Sequence, residues 1–153
     1  MRVTKLALTN FRSYKNLELE FEAGPTTFIG DNGSGKTNIA ESLIYLAYLS
    51  SHRVSQNLPL LNLGTDQAII RAEIERDNRT LQVDLEINAT KANRARLNQN
   101  PTKSQREILG ALQVIYFSPE DLDLVRGEPT DRRDFLDKLL ITRTPRLAGV
   151  ISD

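Results

Sequence analysis

Apolar residues alternate with polar ones most clearly where Ile70, Ala72 and Ile74 are followed by Leu81, Val83, Leu85 and Ile87, around Asp77-Asn78. That period-2 pattern predicts an antiparallel hairpin over residues 67–88. A wetter alternation sets Leu17, Leu19 and Phe21 against Asn16, Glu18, Glu20 and Glu22, a strand with one solvated face. Before it, residues 3–8 predict another strand, with Leu6 and Leu8 on one face and Lys5 between Val3 and Ala7 on the other; the polar turn "NFRSY" separates the two. Two short apolar runs, "TTFIG" (26–30) and "LQVIYF" (112–117), read as further strands. "NIAESLIYLAYLS" places Ile39, Leu43, Ile44, Leu46, Ala47 and Leu49 at helical spacing, a helix buried over much of its girth. "SHRVSQNLPLLNLG" reads as a loop, "RARLN" as a short basic strand ending at the turn "NQNP", and "KSQREILGAL" as a short helix.

The pattern changes after residue 117. Ser118 is a good N-cap, Pro119 suits the first helical position, acids fill the first turn and Gly127 can close the end. Thr130 could cap a second helix, "DRRDFLDKLLI", with Phe135, Leu136, Leu139 and Leu140 on one side. Pro145 opens a last segment, "PRLAGVISD", with no C-cap, so the chain reads as cut inside a helix. These elements divide the chain into an α/β lobe over 1–117 and the start of a helical second lobe over 118–153. Composition adds bounds. The chain has 153 residues, 39% hydrophobic and 26% charged, the profile of an ordinary globular protein. No apolar run is long enough for a membrane span, and the N-terminus reads as a strand instead of a secretory leader. Absence of cysteine fits a cytoplasmic setting. Net charge is zero, so affinity for nucleic acid would have to come from a local patch.

The chemistry sits between the first apolar run and the helix. Gly30, Asp31, Asn32, Gly33, Ser34, Gly35, Lys36 and Thr37 satisfy G-x-x-x-x-G-K-[ST] in every required position. Only a loop poor in bulky Cβ atoms lets several backbone N–H groups converge on phosphate oxygens. The helix that follows adds its positive end. These residues predict ATP-binding, with Lys36 reaching the β- and γ-phosphates and the Thr37 hydroxyl on Mg²⁺. Hydrolysis also needs an acidic strand end for the metal, and no apolar strand here ends in Asp-Asp or Asp-Glu. Glu120 and Asp121 come nearest, but Ser118 and Pro119 separate them from the strand, and helix capping suits them better. The absence of an "NKxD"-like motif argues against a GTPase.

Taken together, "LTNFRSYKNLELEF", "IGDNGSGKTNIAESLIYLA", "SSHR" and "YFSPEDLDLVRGEPTDRRDFLD" resemble the RecF family in order and spacing across nearly the whole chain. The last segment is more specific than any phosphate loop. The resemblance implies the N-terminal portion of an ABC/SMC-type ATPase head: a P-loop NTPase lobe whose mixed sheet includes antiparallel hairpins. It further implies an ATP-dependent homodimer that acts in recombinational gap repair, binding duplex DNA at gap junctions and helping to load recombinase with RecR and RecO-type mediator proteins. Family members complete each ATP site with an "LSxGQ"-like signature from the other subunit and an acidic strand end. Neither is found here ("YLSSHR" is not one), so the chain by itself is expected to bind nucleotide weakly or not at all and not to turn it over.

The same resemblance places Arg12 near the nucleotide; as a residue it is otherwise a surface turn arginine. Asn38 reads as a tie between the helix start and neighbouring backbone. His52 and Arg53 fall in the family-like "SHR", where a lone loop histidine is ordinarily structural. Arg132 and Arg133 lie in the last family-like segment, at a spacing that equally describes a helix surface. Between Ile87 and Glu107, Lys91, Arg94, Arg96, Lys103 and Arg106 form an acid-free stripe. It suits either phosphate tracking or a protected sheet edge; the resemblance favours DNA-binding without base readout. Two rival classes remain at this level: a small-molecule P-loop kinase, with "RRDF" as a thin candidate lid, and a nucleotide-binding interaction module without turnover.

Overall fold

A computed structural model describes residues 1–77, 79–117 and 129–147. Its frame is a six-stranded antiparallel sheet in the order β2-β1-β3-β4-β5-β6. The strands are β1 (Arg2–Phe11), β2 (Tyr14–Glu20), β3 (Gln67–Arg76), β4 (Arg79–Asn88), β5 (Arg94–Leu97) and β6 (Asn100–Pro101). Helix α1 spans Lys36–Tyr48 and helix α2 spans Pro129–Arg143, with short 3-10 turns at Leu58–Leu60, Gln105–Ile108 and Pro145–Leu147.

Strand pairing converts the alternation of the sequence into one dry face. Leu6 stands opposite Ala72 and Ala72 opposite Val83; Leu8 stands opposite Ile70, Ile70 opposite Leu85 and Leu85 opposite Ala95. All of these are buried, and they share a core with Ile39, Tyr45, Leu46 and Ala47 of α1 and with Phe11, Leu60 and Leu61. Because side chains alternate along a strand, the intervening residues form a polar outer face. The β1–β2 connection is shorter than "NFRSY" suggests: Phe11 pairs with Tyr14, leaving Arg12-Ser13 as the turn. Arg12 there holds a left-handed φ of 53°. The β3–β4 turn falls where expected, between paired Arg76 and Arg79, with Asp77 at a left-handed φ of 51°. At "NQNP" the turn proper is Asn98-Gln99, both with positive φ, and Asn100-Pro101 pairs back as β6.

Four expectations are corrected. "TTFIG" forms no strand; Ile29 is 92% exposed, and Phe28 meets Phe21 edge-on at 6.4 Å. "LQVIYF" forms none either beyond an isolated bridge from Leu112 to Leu109, and Ile115 is 99% exposed. A buried strand requires a ladder partner and covered faces, and among the described residues neither run has a ladder partner. "KSQREILGAL" shortens to the 3-10 turn 105–108, closed at its start by a capping box between Ser104 and Glu107. Thr130 lies inside the first turn of α2 instead of capping it. On that helix Phe135, Leu136, Leu139 and Leu140 are exposed, as are Arg132 and Arg133. The helix expected at 118–127 and the end of the chain from 148 lie outside the described residues.

Candidate nucleotide site

Residues 25–34 cross the surface as an exposed loop that enters α1 at Lys36. Gly35 occupies the N-cap with φ 96°, a left-handed conformation that side chains rarely adopt. A Cβ there would also come within 2.7 Å of Ser13 Oγ and 2.8 Å of Tyr14 Oη. The β1–β2 turn thus lies directly on the loop, and a glycine is what lets it. Gly33 is left-handed too, at φ 83°, with open space around it.

Lys36 folds back over the loop. Its ammonium donates to the carbonyls of Gly30 (2.7 Å) and Asp31 (2.6 Å) and approaches Ser34 Oγ at 3.4 Å. A cation held over a ring of main chain by its own loop is the arrangement an anion can enter, trading carbonyl partners for phosphate oxygens. Thr37 is exposed beside it. Among the described residues no three His, Asp or Glu side chains are placed to hold a metal ion. Thr37 would therefore offer Mg²⁺ a single hydroxyl. That fits an ion which keeps several waters and takes its remaining ligands from bound phosphates.

Beneath the loop lies a feature that sequence reading missed. Glu41, one turn into α1, is fully buried. Arg12 grips it with two parallel bonds, Nε to Oε2 at 2.9 Å and Nη2 to Oε1 at 2.6 Å, and donates Nη1 to the Pro59 carbonyl at 2.8 Å. Ser51 donates to Oε1 at 2.6 Å, and Arg53 Nη1 lies 3.4 Å from Oε2. Burial alone would raise the Glu41 carboxyl. The hydrogen bonds from Arg12 and Ser51 and the charges of Arg12 and Arg53 outweigh it and hold the group below the ordinary carboxylate range. Asn38 joins the same knot: its Nδ2 donates to Ser13 Oγ at 3.0 Å and its Oδ1 accepts from Arg53 at 3.3 Å. Asn38 is thus tied to neighbouring structure as expected, although to side chains and not to backbone. His52 packs against Tyr116 with ring centroids 4.6 Å apart and a 44° tilt, and its Nε2 lies 3.2 Å from Tyr116 Oη. Arg12 sits beneath the loop with its guanidinium engaged by Glu41 and Pro59. The signal for this clamp was present as a glutamate in the middle of an otherwise apolar helix stretch.

The basic stripe is divided by the fold. Arg94 and Arg96 lie on β5 with Glu86 and Asp84 directly opposite on β4, and Asp84 also pairs with Arg71 at 2.9 Å. Arg106 is an exposed residue of the 3-10 turn. Lys91 and Lys103 instead flank a cavity beside Asn57 and Asn93.

An antiparallel layer beside a phosphate-type loop and its helix defines the lobe of a P-loop NTPase. The chain belongs to the AAA-domain family, whose pattern it matches over residues 5–136. Its relatives are RecF proteins. It is 52% identical over its whole length to the DNA replication and repair protein RecF of Kineococcus radiotolerans, covering 39% of that protein. The RecF of Cutibacterium acnes is 53% identical, with 40% of its length covered. The chain thus spans about two-fifths of the relatives it matches. Among solved structures it is similar to the recombination mediator protein RecF-ATP of the RecFOR pathway, with a TM-score of 0.84 and 27% identity over 92% of this chain and 39% of that one. An SMC ATPase structure shares the fold, with a TM-score of 0.67 at 21% identity, covering 90% of this chain and 98% of that one.

Proposed function

We propose that this chain is the nucleotide-binding lobe of a RecF-type DNA-repair ATPase, holding ATP on the loop Gly30–Thr37. The observation that carries the reading is the Lys36 ammonium bonded to the Gly30 and Asp31 carbonyls at the mouth of a glycine-bent loop. Lys36 supplies the cation for the β- and γ-phosphates, the amides from Asn32 to Thr37 supply neutral donors, and Thr37 supplies the protein oxygen for Mg²⁺. Arg12 acts from beneath, seating the β1–β2 turn against Gly35. In the reading's wider form, the whole protein dimerises on ATP, contacts duplex DNA at gap junctions and works in the cytoplasm with RecR- and RecO-type mediators to load recombinase. Similarity to RecF proteins across the entire chain supports this form. The lobe alone does not turn nucleotide over, because the chain offers no apolar strand ending in paired acids to hold the metal.

Titration with a fluorescent ATP analogue tests the core of the reading. Saturable binding that needs magnesium is expected, weakened at least tenfold by Lys36→Ala. Equal binding by wild type and Lys36→Ala would refute it.

A further inference from the structure

A second polar site lies away from the loop. A cavity of about 400 Å³ opens between residues 91–93 and 103–105, with Asn57 also in its wall. That volume falls in the range of small-ligand pockets. Its lining carries two ammonium groups, Lys91 and Lys103, three amides, Asn57, Asn93 and Gln105, the Ser104 hydroxyl, and no carboxylate. Two acids join the local hydrogen-bond network from outside the lining: Glu107 accepts from the backbone N–H groups of Lys103 (2.8 Å) and Ser104 (3.1 Å), and Glu86 accepts from Asn88 Nδ2 at 3.0 Å.

The wall is held by hydrogen bonds. Asn57 Nδ2 donates to Asn93 Oδ1 and to the Asn88 carbonyl, each at 3.0 Å, and the Asn88 N–H donates to the same Asn93 oxygen at 3.0 Å. Asn93 is thereby fixed on the short stretch between β4 and β5, where no helix or strand would otherwise hold it. In the wall, Gln105 Oε1 is buried and without a hydrogen-bond partner among the described residues; the NH₂ of the same amide is a donor that can turn toward a ligand.

We propose that this cavity is a phosphate-binding site, with Lys91 and Lys103 as its cations and Ser104 and Gln105 as its donors. The wall is also tied to the nucleotide helix. Tyr45 of α1 donates to Asn57 Oδ1 at 3.0 Å and accepts from Asn93 Nδ2 at 3.4 Å. The site gives the DNA half of the proposed function a location; it does not depend on nucleotide binding at Lys36. The phosphate chemistry is common to a nucleic-acid backbone and a free anion. Arg94 and Arg96, by contrast, stand in register with Glu86 and Asp84 on β4 and do not line the cavity.

The test uses fluorescence anisotropy with a labelled 20-base-pair duplex across a salt series. In parallel, pyrophosphate is titrated by calorimetry in a Lys36→Ala background, which silences the loop. Lys91→Glu with Lys103→Glu should lower duplex affinity at least tenfold at low salt and reduce the log–log salt slope by about 2. Arg94→Glu with Arg96→Glu should change affinity less than threefold. Pyrophosphate binding lost in the lysine pair, with no duplex binding in wild type, would support the site with a free anion as its ligand. The proposal is overturned if the lysine pair leaves both ligands unaffected, if neither ligand binds the wild-type cavity, or if the arginine pair weakens the duplex as much. The fluorescent ATP titration is the independent control: it can fail while this site stands, and the reverse.

Discussion

Glu41→Gln is the most demanding perturbation of this lobe. The substitution keeps the shape of the side chain and removes its charge from a site with no solvent access. Arg12, whose side chain is 16% exposed, then loses the carboxylate that accepts two of its donors. Breaking a buried charge pair from one side costs about 3–5 kcal/mol. The contribution of Arg53 is discounted, since its side chain is 45% exposed and its contact is long at 3.4 Å. An amide retains one acceptor for Arg12, which places the expected loss near the lower end, about 3 kcal/mol. For a domain of this size that lowers the melting temperature by about 6–12 °C. The assay is urea unfolding followed by far-UV circular dichroism, with Arg12→Met and the double variant completing a mutant cycle. The coupling should reach about 2 kcal/mol, whereas the same cycle on Arg71 and Asp84, with Arg71 49% exposed, should give less than about 1 kcal/mol. A loss below about 1 kcal/mol with no coupling would refute the claim that the clamp secures the loop's support.

Further expectations follow from the same geometry. Because the folded-state pKa of Glu41 is depressed, its stabilisation is complete above its ordinary value near 4.5 and is lost as pH falls through the lower folded value. Acid unfolding curves should show that loss in wild type and much less of it in Glu41→Gln. Gly35→Ala combines a left-handed backbone with close approach to Ser13 and Tyr14, while Gly33→Ala has the backbone penalty alone. Urea titration should give about 1–2 kcal/mol for Gly33→Ala and a larger loss for Gly35→Ala. Ser104→Ala removes the capping box of the 105–108 turn and should cost about 0.5–2 kcal/mol by the same measurement.

Local features of this chain were legible from sequence because their physics is local. The phosphate loop is eight contiguous residues whose backbone freedom and charge act within one turn of chain, so its composition announces it. The 67–88 hairpin was legible because side-chain alternation and a two-residue turn determine register without outside help. Three other outcomes depended on contacts between distant segments. Glu41 stands out in sequence as an acid within a largely apolar helix, but its partner does not; only the meeting of α1 with a turn 29 positions earlier buries it against Arg12. The basic stripe reads as one patch, yet strand pairing sets two of its arginines opposite Glu86 and Asp84 and leaves two lysines at a cavity. "TTFIG" and "LQVIYF" have the hydrophobicity of buried strands, but a strand is made by its neighbours' hydrogen bonds, and hydrophobicity along the chain carries no information about which neighbours are present.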